Sequence, residues 1–243
     1  MLRIILASLA FLIVLGNVYG QSTLPEDSEI IRAIFPWCKS LVLEQNFKVC
    51  TGDKYKVCLS GGPVKATLLK KTDDAEYFVA AIAFGQGEDL EHYYWYNQVL
   101  LAVLCRKAGT LKLIHKTKLP NEGEYMHRVE DVKPLVLNNQ PVALLQYRYS
   151  DSVSTPRGWH TISKIFSLTD QFTTKELWSF ETGFVRPAAA SLPSVEKIVD
   201  FHFVDFDGDG DDDIVTSASI KKSNLWTKYS WKDGGLIKTE SNE

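Results

Sequence analysis

The sequence predicts an all-β chain of antiparallel four-stranded units, with a short helix ahead of them. Two patterns carry that prediction. Runs of β-branched and aromatic residues with partial alternation recur from residue 64 to residue 239, separated by turns rich in Gly, Asp and Asn. These runs also group in fours, three times over, in the order strand, polar turn, strand, longer loop, strand, tight turn, strand. A hydrophobic fraction of 45% with 12% aromatic residues is ample for a core, and about 220 mature residues fit a single all-β domain.

Residues 1–20 read as a secretory signal peptide. Met1-Leu2-Arg3 is a short basic head, Ile4 to Leu15 is an apolar run, and Val18 and Gly20 stand at −3 and −1 of a cleavage site before Gln21. The run is shorter than the ~20 residues that span a bilayer, and no later stretch is apolar enough to do so. The chain is therefore expected outside the cytoplasm, secreted or periplasmic, with no membrane span in its mature form.

Residues 21–62 form a helix and a lead segment. Ser28 is the expected N-cap, Glu29 lies in the first turn, and Ile30, Ile31, Ile34 and Phe35 make an apolar stripe that Pro36 ends. The four cysteines, Cys38, Cys50, Cys58 and Cys105, are an even number in an oxidising compartment. Two disulfides are expected from three possible pairings. Cys50 and Cys58 flank a Thr-Gly-Asp-Lys-Tyr turn that would bring them together across a hairpin, leaving Cys38 for Cys105.

Residues 63–243 hold the repeats. The first unit comprises Val64–Lys70, Tyr77–Phe84, Gln98–Cys105 and Thr110–Thr117. The second comprises Val129–Leu137, Val142–Tyr149, His160–Ser167 and Thr173–Phe180. The third comprises Ile198–Val204, Ile214–Ser219, Leu225–Trp231 and Leu236–Thr239. Antiparallel units of ~40–70 residues are the sequence form of propeller blades, but a closed ring takes about 4–8 of them. A small four-blade-like ring, an open arc capped by the helix and a two-sheet β-sandwich all remain compatible with three units.

The first turn of the third unit is the most specific feature of the chain. Asp205-Phe206-Asp207-Gly208-Asp209-Gly210-Asp211-Asp212-Asp213 places carboxylates at loop positions 1, 3, 5 and 9. A hard cation takes roughly 6–8 oxygen ligands at about 2.3–2.6 Å. Six closely spaced carboxylates repel one another unless something neutralises them. Asp205, Asp207, Asp209 and Asp213 are the candidate side-chain ligands of a Ca²⁺ ion, with Asp211 offering its carbonyl. An EF-hand is excluded, because position 12 is Thr216 and the flanking segments read as strands. An Asp-rich D-x-D-G-D-G-x-x-D-I-x-V turn between strands resembles the FG-GAP/VCBS calcium repeat of integrin-type β-propellers, over residues 205–215. That resemblance implies Ca²⁺ and a blade-like unit, and it implies no reaction. Asp73-Asp74 and Asn138-Asn139 hold the same place in the other two units without the ligand set.

The remaining chemistry is sparse. The sequence has no G-x-S-x-G elbow, H-E-x-x-H, P-loop or G-x-G-x-x-G, and its five His are scattered. With 27 Lys and Arg against 30 Asp and Glu, it lacks the basic excess of a nucleic-acid binder. Tyr93-Tyr94-Trp95-Tyr96 are candidate partner-binding residues, able to stack on a sugar or anchor a protein, or else to pack inward. The expectation is an exported, calcium-binding, non-enzymatic interaction module whose partner is a protein or a glycan. The alternative is an exported glycan hydrolase using carboxylates such as Glu88, Asp89 or Glu91.

Overall fold

The structure, a computed structural model, describes residues 23–44, 47–60, 63–86, 98–120, 125–150, 157–188, 193–220, 223–232 and 235–241. The signal segment 1–20, the aromatic cluster 93–96 and the carboxylates at 88, 89 and 91 lie outside them. Among the described residues, one helix and fifteen strands form two antiparallel sheets that close into no barrel. The expected all-β class is correct, in an open arrangement.

Helix α1 (Asp27–Ile34) buries Ile30, Ile31 and Ile34, the expected stripe. Its N-cap is Glu26, not Ser28. The Glu26 N–H donates to Glu29 Oε2 at 2.9 Å, so Glu29 satisfies an otherwise orphaned donor from the third helical position.

The first sheet contains β1 (Ser40–Glu44), β2 (Phe47–Thr51), β3 (Lys56–Ser60), β4 (Lys65–Lys71), β5 (Glu76–Gln86), β6 (Gln98–Lys107) and β7 (Thr110–Lys118). Its order is β1-β2-β3-β5-β6-β7. β5 has eleven residues, long enough to take two partners along one edge: Phe84–Gln86 pair with β3 and Glu76–Ala81 with β4. The lead segment thus extends the sheet of the first unit.

The second sheet is an unbroken meander of β8 (Tyr125–Leu137), β9 (Gln140–Ser150), β10 (Trp159–Leu168), β11 (Thr174–Arg186), β12 (Val195–Val204), β13 (Asp213–Ile220), β14 (Ser223–Lys232) and β15 (Gly235–Ser241). The second and third units are therefore joined, through four residue pairs from Gly183↔Ile198 to Arg186↔Val195. Beyond those pairs β11 and β12 diverge, and Trp178 meets Phe201 with ring centroids 5.3 Å apart.

Three apolar clusters stack through the molecule. Phe78, Ala80, Ile82 and Phe84 of β5, with Leu100, Ala102 and Leu104 of β6, pack under α1. Val79, Ala81, Val99 and Leu101 point the other way, against Ala143, Leu145, Tyr147, Ile162 and Phe166 of the second sheet. Val142, Leu144 and Ile165 then meet Trp178 and Ile214 in a third cluster, with Tyr229 and Leu236 packed against it. That cluster draws from β8 to β15, so the meander curls until its two halves face each other. Strands buried on both faces must be apolar at every position, which is why β5 reads Phe-Val-Ala-Ala-Ile-Ala-Phe without alternation.

The disulfide expectation is corrected. Cys38 bonds Cys50, with Cα atoms 5.5 Å apart. Cys50 pairs across the ladder with Val57, and Cys58 with Val49, so the two cysteines point to opposite faces of the β2–β3 hairpin and cannot join. Cys105 lies between Leu104 and Arg106. Leu104 belongs to the cluster under α1 and Arg106 lies over the Phe78 ring of that cluster, so Cys105 faces away from Cys38. Alkylating the denatured, unreduced chain should label two thiols, whereas labelling the native chain should spare the buried Cys58. Leu101→Ala, at a fully buried position, should lower the unfolding free energy in urea by about 2–5 kcal/mol.

Candidate functional site

The Asp loop leaves β12 at Val204 and enters β13 at Asp213, a pair that directly oppose one another. Phe201 and Phe203 pack inward while His202 and Val204 face out, so the strand ends with its apolar side anchored and its tip in solvent. Ile214 is fully buried and fixes the other end. The curl between them needs left-handed backbone at Gly208 (φ 78°) and Gly210 (φ 92°), which glycine adopts at little steric cost.

Asp205 organises the turn. Its Oδ1 accepts the Gly208 N–H at 2.8 Å and its Oδ2 the Gly210 N–H at 3.2 Å. Asp209 Oδ1 accepts the Asp211 N–H at 2.9 Å. The result is that Asp205, Asp207 and Asp209 each place a carboxylate oxygen within 4.8 Å of the others, all on exposed residues. This all-oxygen donor set suits a hard cation such as Ca²⁺.

The other two expected ligands sit differently. Asp213 is buried, accepts the Phe206 N–H at 3.3 Å and lies 3.3 Å from the Lys228 ammonium. Asp211 is half-buried, with its N–H turned to Asp209.

Two residues outside the loop complete the site. Lys228 of β14 stands opposite Val215, on the same side of β13 as Asp213, and donates to Asp207 Oδ2 at 2.8 Å. Its ammonium also sits 4.9 Å from the Phe206 ring centroid. The hydrogen bond from Lys228 holds the Asp207 carboxyl below its ordinary pKa of 3.8. The same bond raises Lys228 above 10.5. Asn138, at the tip of the β8–β9 hairpin, accepts the Asp212 N–H on Oδ1. Sequence reasoning missed both, because Lys228 reaches the loop from the neighbouring strand β14, Asn138 reaches it from the turn of another hairpin, and neither belongs to a ligand motif. The only hint was a lysine inside the aromatic run Leu225–Trp231.

The equivalent turns of the other units are simpler. Asn138 and Asn139 both have positive φ, 50° and 60°, between Leu137 and Gln140, the geometry of a two-residue type I′ hairpin. Asp74 is bonded by Thr72 and by Lys107, at 3.2 and 2.7 Å. No protein-family model matches the chain, and a comparison with curated proteins gives no match either.

Two outcomes follow. The Lys107 hydrogen bond lowers the Asp74 pKa below 3.8, and the bond to Asp74 raises Lys107 above 10.5. The carboxyl's contribution to stability is therefore present above pH 3.8 and disappears as pH falls through its lowered value. The ammonium's contribution is present below 10.5 and disappears as pH rises through its raised value. NMR titration should find the Asp74 midpoint below 3.8, returning toward it in Lys107→Met. Lys228→Met leaves Asp207 and Asp213 without their countercharge, so it should lower the melting temperature in chelator. An unchanged melt would show that this pairing adds nothing to folding.

Proposed function

We propose that this chain is an exported, calcium-binding β-repeat protein that acts by holding a protein or glycan partner. The observation that carries this is the convergence of Asp205, Asp207 and Asp209 on one exposed point, in a glycine-relaxed loop between two strands. The leader-like residues 1–20 and the likeness of residues 205–215 to the FG-GAP/VCBS repeat support it from the sequence side. Outside the cytoplasm even a weak site, ~10⁻⁴–10⁻³ M, fills with Ca²⁺. The ion's role in this proposal is structural. It offsets the mutual repulsion of the carboxylates and stiffens the connection between β12 and β13. Lys228 then serves as the internal counterion that keeps the loop folded without the ion. The partner surface proposed from sequence is Tyr93-Tyr94-Trp95-Tyr96.

Ca²⁺ at a hundredfold excess over Kd should stabilise the wild type by about 2.7 kcal/mol over the chelated chain. Asp209→Asn keeps an oxygen for the Asp211 N–H while removing a charge, so it should fold normally and lose most of that gain. Calorimetry without Ca²⁺ uptake, together with a melt indifferent to EDTA, would falsify the metal assignment.

A further inference from the structure

On the face of the first sheet that carries α1, the helix covers only part of the surface. α1 packs against β6 and β7, and ends at Ile34. Just past its end lies an open cavity of about 340 Å³, within the size range of small-molecule sites. Its floor is Val57, Phe84 and Leu100. One wall is a run of rings in edge or tilted contact, Tyr55 to Trp37 to Phe35 to Phe84, with centroids 5.7, 5.7 and 6.0 Å apart.

That wall is held in place. Trp37 precedes Cys38, which the disulfide ties to Cys50. The Trp37 ring and carbonyl lie so close to Gly52 that a Cβ there would stand 2.9 and 2.6 Å from them. The backbone turn is closed by the Gly52 N–H donating to the Tyr55 carbonyl at 2.9 Å.

The rim carries charge of one sign. Lys116 and Lys118 of β7 stand opposite Ala102 and Leu100, so both project on this face. The Lys118 ammonium lies 5.7 Å from the Phe84 ring centroid. Among the described residues, no acidic side chain lines the cavity. Among the described residues neither ammonium is in an ion pair with a carboxylate. An aromatic cage normally favours a cation, but two neighbouring ammonium groups reverse the sign of this one.

We propose that this cavity binds a small organic carboxylate with an apolar body. The body lies along the Phe35–Trp37–Tyr55 wall and the carboxylate meets Lys116 and Lys118. The site is separate from the Asp loop and does not depend on a metal there.

Isothermal titration of the full mature chain with decanoate, decanol and decylammonium tests this. Decanoate should bind saturably at one site, more tightly than decanol, and decylammonium should bind least. The double variant Lys116→Met/Lys118→Met changes two exposed side chains and should leave the ligand-free melting temperature unchanged. It should weaken decanoate by at least about tenfold, the loss of one charge-assisted hydrogen bond, and leave decanol unaffected. Decanol binding as tightly as decanoate would overturn the proposal. So would equal decanoate affinity in the double variant, or no saturable binding at all.

Discussion

Burial of four strands on both faces is the constraint from which the architecture follows. β5 and β6 cannot show either side to water, since one face carries the cluster under α1 and the other the cluster shared with the second sheet. β9 and β10 are in the same position between the second and third clusters. Such strands need a layer on each side. The helix must cover one face of the first sheet, the two sheets must pack together, and the second sheet must curl to cover its own outer face. Strands that face solvent on one side revert to alternation, as β7 does on either side of the bulge that switches its exposed face.

This layering sets where chemistry can sit. Apart from the buried Lys164, Asp213 and Lys228, charged groups sit at strand ends and on faces with incomplete cover. The Asp loop occupies the first kind of place, at the solvent tip of two strands whose apolar roots are locked in the third cluster. The lysine-rimmed cavity occupies the second, where an eight-residue helix is too short to cover its sheet face. The two lie in different layers of the molecule, against different apolar clusters.

The acidic loop also shows how a protein restrains concentrated like charge with its own groups. Backbone N–H donors satisfy both oxygens of Asp205, and one buried ammonium is shared between Asp207 and Asp213. The Asn138 side chain then ties the loop to the preceding unit's hairpin. None of these interactions competes with a cation for every oxygen at the point where Asp205, Asp207 and Asp209 meet. The loop is thus held in shape by the protein's own groups.

Local pattern alone determined a good deal of this protein. The twelve repeat strands, the apolar stripe of α1 and the loop whose carboxylates converge are all set within windows of about ten residues by periodicity and turn chemistry. The asparagine hairpin belongs with them, because positive φ is a property of the two residues that adopt it. Partnership was decided elsewhere. Cys50 and Cys58 look adjacent along the chain, yet a one-residue offset in register turns them to opposite faces. The helix start moved to Glu26 because the reach of one glutamate outweighed a serine's intrinsic preference. Joining the second and third units, placing Lys228 and Asn138 at the loop, and gathering an aromatic wall beneath two lysines all depend on contacts between separate elements, such as Lys228–Asp207 and Asn138–Asp212, 21 and 74 positions apart. Such contacts form only when burial of apolar faces selects one stacking of the sheets, and no local window contains that competition.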